Sequence, residues 1–350
     1  MRKRNNKKTI ITISIILGLV IVGGIVFFLT KKNDGNSGKL EIPKKDETIE
    51  SEKKITIVDM DSKERPYAVM INNHNESRPQ AGLDKAYMIY EFNVEYGITR
   101  MLALFTTDAD VSKIGSIRSS RHYYLDYALE NDAIYVHWGW SQYAKDDISK
   151  LKINNINGLE YGDTYFTTDS SLNRALEHTR FTNSDSMKKA IKDFKYRTER
   201  NNDYLLNYTA DEVDLSNKEG SIPANSVNIT YSNYMTANYS YNSEDKMYYR
   251  SINNSPMTDL VTGQQYKFKN IIAYSVPYKT ISSKGHQDIS NIGNGKGYYI
   301  TNGYAIPIKW SKTSRSEQTK YTYIDGSEID VSDGNTFIQI YPSTGNLSIK

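Results

Sequence analysis

Two glutamates four residues apart, Glu91 and Glu95, carry the strongest chemical signal in this 350-residue chain. On one regular strand they would share a face yet lie ~13 Å apart, too far for the ~5 to 9.5 Å of paired glycosidase carboxylates. A two-acid hydrolase therefore requires a sharp turn at Glu95. One acid suffices for a lytic transglycosylase, which protonates the leaving oxygen of a glycan while the sugar's own C6 hydroxyl displaces it. Such an acid needs a raised pKa, and the apolar neighbours Phe92, Val94 and Ile98 could desolvate it. The opposing reading stands beside it: either glutamate pairs with Arg100, Arg118 or Arg121 as part of the scaffold.

The arginines support a binding site as well. Arg118 and Arg121, near the start of a predicted helix, could clamp a carboxylate or phosphate, with Arg78 and Arg100 as further candidates. Charged partners such as Asp126 would explain Arg118 and Arg121 equally well. Among the histidines His74, His122, His137, His178 and His286, no two have the helical spacing of a zinc pair, and the chain has no cysteine. Neither a metal nor a cofactor is expected. His137 at a strand end, and His178 near Asp169 and Glu177, are candidates for orienting or binding a substrate. Gly293 to Gly297 lacks the strand-glycine-helix setting of a nucleotide loop and reads as a turn. No Gly-x-Ser-x-Gly elbow supports a serine nucleophile.

These residues sit at the ends of predicted elements. Tyr67 to Asn72 reads as a buried strand, followed by strands over Ala86 to Val94 and Ile98 to Thr107 joined through Glu95-Tyr96-Gly97. A helix capped by Ser119 or Ser120 is predicted through Glu130, then a strand over Ala133 to Trp138. Further helices are predicted over Gln142 to Leu151 and, capped by Ser184, over Asp185 to Lys195. From about residue 205 short strands take over, including Val227 to Tyr231, Lys246 to Ile252, Asn270 to Val276, Ala305 to Trp310 and Thr336 to Tyr341. Asp325-Gly326 and Asp333-Gly334 flank Ser327 to Val331 and predict the tight turns of a closing meander. The expected fold is an α+β or α/β domain over residues 64–204 and a mainly antiparallel β domain over 205–350.

The amino terminus sets the compartment. Residues 1–8 form a basic tail, and the uncharged run Thr9 to Thr30 would reach ~33 Å as a helix, enough to span a bilayer as a single transmembrane anchor. The charge bias leaves the N-terminus in the cytoplasm and exports the rest. Residues 31–63, polar and poor in large apolar side chains, read as a flexible linker. Of 44 basic and 41 acidic residues, five basic ones lie in the first eight positions, so the exported part is slightly acidic and no nucleic-acid binder. The 29 tyrosines could stack on sugar rings, although biased composition and strand preference account for most of them.

Four segments carry a resemblance: Arg78 to Leu83, Tyr90 to Arg100, Ile114 to Arg121, and His137-Trp138-Gly139. They resemble the YerB-like family of bacterial surface lipoproteins, as do later pieces that include Phe166 to His178, Tyr249-Arg250, Asp259, Trp310, Lys312 and Phe337 to Pro342. The resemblance spans roughly Arg65 to Tyr341 and implies a two-domain extracytoplasmic protein. Similar proteins usually have glycine where Tyr96 stands, proline where Ser116 stands, and a lipid-modified cysteine that is absent here. The expected partners are the membrane, through the N-terminal helix, and peptidoglycan or another cell-wall glycan, with a wall enzyme as a further possibility. The expected function is cleavage of peptidoglycan glycan by Glu95 or Glu91, with Arg78, Arg100, Arg118, Arg121, His137, His178 and Asp169 binding substrate; the alternative is a non-catalytic protein that binds peptidoglycan or recruits a wall enzyme.

Overall fold

Strands that are largely apolar and buried at every position need cover on both faces, and this chain builds its centre from them. The computed structural model describes residues 53–350. In the N-terminal half, β1 (Tyr67–Asn72), β2 (Met88–Asn93) and β3 (Thr99–Phe105) are buried along their whole length. They are followed by helix α1 (Tyr124–Glu130), β4 (Ile134–His137), α2 (Gln142–Lys150), β5 (Asn155–Asn157) and α3 (Ser184–Asp193). The C-terminal half supplies β6 (Ser226–Ser232), β7 (Met235–Asn242), β8 (Met247–Ile252), β9 (Asn270–Val276), β10 (Gly293–Thr301), β11 (Tyr304–Lys312), β12 (Thr336–Pro342) and β13 (Asn346–Ile349).

One 11-stranded sheet runs β11-β10-β9-β12-β2-β3-β1-β4-β5, with short strands Ile222–Pro223 and Lys320–Tyr323 on β11. Its N-terminal part mixes strands and helices, while the C-terminal half is mostly antiparallel. The halves meet where β12 lies parallel to β2, Met88 opposite Thr336 and Phe92 opposite Ile340. The change of pattern near residue 205 is thus a change of element type within a shared sheet, and residues 53–350 form one compact unit.

The period-2 alternation of strands sorts side chains to the two faces. Ala68, Met70, Tyr90, Phe92, Leu102 and Leu104 pack on one side with Tyr123, Tyr124 and Tyr127 around α1. Val69, Ile71, Ile89, Met101 and Ala103 pack on the other with Met187 and Ile191 of α3 and with the second sheet, β8-β7-β6-β13. That second sheet alternates strictly between buried and half-buried positions along β6, as expected of a sheet with one wet face.

Several local expectations are corrected. Neither Ser119 nor Ser120 caps α1: the Ser119 hydroxyl donates to the Trp138 carbonyl, and α1 starts at Tyr124 with no side-chain cap. Asn183, one residue before the predicted cap, receives the Ser186 N–H at the start of α3. Gly293 to Gly297 is strand, not turn. A Cβ at Gly295 would lie 2.6 Å from Trp310 Nε1, and one at Gly297 would lie 2.6 Å from the Ala273 carbonyl, so cross-strand crowding requires both glycines. The tight turn at Asp325-Gly326 forms as predicted, with Thr322 opposite Glu328 in antiparallel register, but Asp330–Ser332 then pairs in parallel with Asn207–Thr209, so the meander does not continue. The predicted linker ends earlier than residue 63: Val58 is buried, Ile55, Ile57 and Met60 pack on the core, and Asp333 accepts the N–H groups of Thr56 and Ile57. The predicted anchor, Thr9 to Thr30, lies outside the described residues; among these, no helix is long and apolar enough to cross a membrane.

Candidate functional site

Strands β1, β2, β4, β5, β9 and β12 point the same way, because β1 and β2 each pair antiparallel with β3 while β4 and β12 add in parallel. Their C-terminal ends therefore share one edge, the usual place for ligand sites in open sheets. Asn73 and His74, Glu95 and Tyr96, and Trp138 and Gly139 all follow strands there. The turn Glu95–Gly97 closes the hairpin of β2 and β3, so the two glutamates leave the regular spacing that set them ~13 Å apart.

Glu91 does not reach this edge. Its carboxylate is fully buried and accepts from Arg250 Nη2 at 2.6 Å, Thr99 Oγ1 at 2.6 Å, Asn73 Nδ2 at 2.9 Å and Gln339 Nε2 at 2.9 Å. Arg250 is equally sealed, lying over the Phe337 ring and donating to the Tyr239 hydroxyl. A carboxylate with four donors and no path to solvent cannot protonate a substrate, so Glu91 leaves the list of acid candidates. Arg78 belongs to the same network: its Nη2 donates to the Asn73 carbonyl at 2.8 Å.

Glu95 lies at the rim, 7% exposed. Both of its oxygens accept from Arg121, through Nε and, at 2.8 Å, Nη2; Arg100 Nη2 stands 3.6 Å away and His286 Nε2 3.9 Å. Burial pushes its carboxyl up, but the Arg121 hydrogen bonds and the charges of Arg100 and Arg121 together outweigh that and hold it below the ordinary 4.5. The expected desolvated acid is corrected accordingly: Phe92 and Val94 pack into the core, and what faces the carboxylate is guanidinium. Arg100 is pulled down to about 10, chiefly by burial, and remains a cation at neutral pH; its Nη1 donates to the Ser119 carbonyl at 2.6 Å.

The other predicted site residues divide. Arg118 pairs with Glu177 at 3.0 Å and is close enough to Arg100 to lower its pKa. Asp126 takes Arg315 and Asn291, not Arg118 or Arg121. Asp169 sits apart, paired with Lys113, whose hydrogen bond pulls it down to about 2. His137 is sealed between the Gly139 carbonyl and Asn155 Oδ1, and burial lowers it to about 4, so it is a neutral structural ring. His178 stacks on His74 at 5.2 Å and stands 3.6 Å from Glu76. Donor atoms of these three lie within 4.8 Å of one another, the spacing of a metal cluster. Their hydrogen bonds are not those of metal ligands: Asn72 Oδ1 accepts from the His74 N–H, so its amide donates to His178 Nδ1 and the ring proton of the neutral imidazole falls on Nε2, facing Glu76.

His286 and Tyr143 join the rim without having been singled out in the sequence as site residues. His286 comes from the hairpin of Tyr278–Thr280 and Gln287–Ile289, and Tyr143 from α2; their rings meet edge to face at 6.0 Å. His122 completes the rim, 3.0 Å from Asp288. A cleft of about 700 Å³ lined by Lys63, Lys188 and Lys192, and a hollow of about 810 Å³ beside residues 53–61, include none of these rim residues. The rim is a ledge at the strand ends, built from side chains of both halves.

Comparison with known proteins places these features in a family. The N-terminal domain of the family described as protein of unknown function (DUF3048) matches residues 55–197, and the C-terminal domain matches residues 227–338. The chain is 30% identical over 309 residues to the Bacillus subtilis (strain 168) protein named "Putative lipoprotein YerB", covering 86% of each chain. The crystal structure of YerB from Bacillus subtilis superposes with a TM-score of 0.70 at 28% identity, covering 81% of this chain and 94% of that one. With both domains matched in order and the same fold recovered, the chain belongs to the YerB-like, DUF3048 family.

Proposed function

We propose that this protein is a membrane-anchored, extracytoplasmic binding protein for cell-wall glycan that does not itself cleave the glycan. The observation that carries the reading is the pairing of Glu95 with Arg121 and Arg100, which keeps the accessible carboxylate ionised at neutral pH. A lytic transglycosylase requires that proton to be present, and Glu91 has no access to a substrate. Charged groups fixed in place at a rim suit recognition of hydroxyl, amide and carboxylate groups. Anchoring through Thr9 to Thr30 and export of the remainder accord with the basic N-terminal tail and with a relative named as a lipoprotein.

The test incubates the full-length chain, in mild detergent, with purified peptidoglycan, then separates pellet from supernatant. The expected result is co-sedimentation with no soluble fragments by mass spectrometry. Release of anhydro-sugar fragments that Glu95→Gln abolishes would establish the cleaving alternative instead. A protein that stays in the supernatant is not a wall-glycan binder.

A further inference from the structure

Tyr96 holds a backbone conformation suited to glycine and spends it on an exposed ring. Its φ of 57° lies in the left-handed region, where a Cβ crowds the backbone, yet the residue is 73% exposed. Core packing therefore returns nothing for the strain. Outliers of this kind concentrate at functional sites.

The ring does not stand alone. Tyr234 is also 73% exposed and Tyr143 is 42% exposed. A Cβ at Gly97 would lie 3.6 Å from the Tyr234 ring and 2.8 Å from Ser232, whose hydroxyl donates to the Gly97 carbonyl, so Tyr234 adjoins the Tyr96 turn. A Cβ at Gly285 would lie 3.5 Å from Tyr96 Cε1; the neighbouring His286 meets Tyr143 and faces Glu95. Three accessible rings thus lie around the turn that carries the anchored carboxylate: Tyr96 within it, Tyr234 against Gly97, and Tyr143 through His286.

We infer that Tyr96, Tyr143 and Tyr234 form an aromatic ledge on which the pyranose rings of a β-linked N-acetylhexosamine chain stack, while His286 and the Glu95–Arg121 pair hydrogen-bond to its hydroxyl and acetamido groups. The inference rests on the glycan-binding reading above and adds to it the ligand class and the residues that hold it. The C–H face of a pyranose carries slight positive charge and complements the negative face of an aromatic ring, whereas its edges need polar partners. The ledge supplies both kinds of surface side by side. The slightly acidic charge of the exported part disfavours the other ring-stacking polymer, a nucleic acid.

The experiment titrates chitotetraose into the full-length chain by calorimetry and follows thermal unfolding of the same samples. Tyr96→Gly removes the ring and relieves the backbone, so its melting temperature should equal or exceed that of the wild type while affinity falls roughly tenfold. Tyr234→Ala should weaken binding similarly without unfolding the protein. Equal affinity of Tyr96→Gly and wild type, or no wild-type binding at millimolar sugar, overturns the ledge. If wild type still sediments with peptidoglycan in that case, the wall-binding reading survives alone. Tyr96-dependent chitotetraose binding without sedimentation leaves the ledge standing and removes the wall reading.

Discussion

Two carboxylate–guanidinium pairs, whose glutamates stand four residues apart in the chain, behave as opposites. Glu91 and Arg250 are both fully buried, and the pair joins the two halves across a separation of 159 residues. Glu95 and Arg121 lie at the strand-end rim with 9% of each side chain exposed, beside His286 and an exposed tyrosine. Similar chemistry therefore does different work according to its access to solvent. The sealed pair fixes how β2, β8 and β12 assemble, since an alternative packing would strand a buried charge. At the rim, the pair can share its hydrogen bonds with an incoming ligand. Lys312 with Glu130, another buried pair between the halves, belongs to the sealed class.

The largest expected effect breaks the sealed pair. Arg250→Ala leaves Glu91 buried without its cation and should destabilise the protein by about 3–5 kcal/mol in urea titration; a loss below about 1 kcal/mol would put Glu91 and Arg250 in the surface class. Because the sheet and these pairs tie the halves together, calorimetry of the wild type should give one unfolding transition for the described region, and two well-separated transitions would contradict the coupling.

The sealed class also includes a titrating group. His137 is lowered to about 4 in the fold against an ordinary 6.5, so the unfolded chain binds the extra proton first as pH falls. The stability it contributes is complete above pH 6.5 and is lost on acidification toward 4, on the order of 3 kcal/mol. His137→Gln should flatten that slope in melts between these pH values; an unchanged slope would assign it elsewhere.

At the rim the effects shrink. Glu95→Gln should cost about 1–2 kcal/mol at pH 7. Since the folded pKa lies below 4.5, the deficit relative to wild type should fade as pH falls below that value, and a pH-independent deficit would point to packing instead of charge. The smallest expected change has the opposite sign: Tyr96→Gly should stabilise the fold by about 1 kcal/mol, and a lower melting temperature would show that its ring is part of the packing.

What the sequence determined by itself was local. The mostly apolar run Tyr67–Asn72 and the span Asn270–Val276 match their strands residue for residue, and the glycine turn after Glu95 joins β2 and β3, because hydrophobic periodicity and turn chemistry act over a few residues. The segments Tyr90 to Arg100 and Ile114 to Arg121 likewise contained the rim's Glu95, Arg100 and Arg121. Only the tertiary structure decided which glutamate met which arginine. Nothing near Glu91 in the chain foretold Arg250 or Gln339, and His286 approaches Glu95 from a hairpin about 190 residues downstream. Sealing and exposure were decided by the same long-range assembly. Whether a carboxyl gains or loses its proton depends on the sum of burial and neighbouring charge, and for Glu95 both were set by the tertiary contacts that bring Arg100 and Arg121 to the turn after β2.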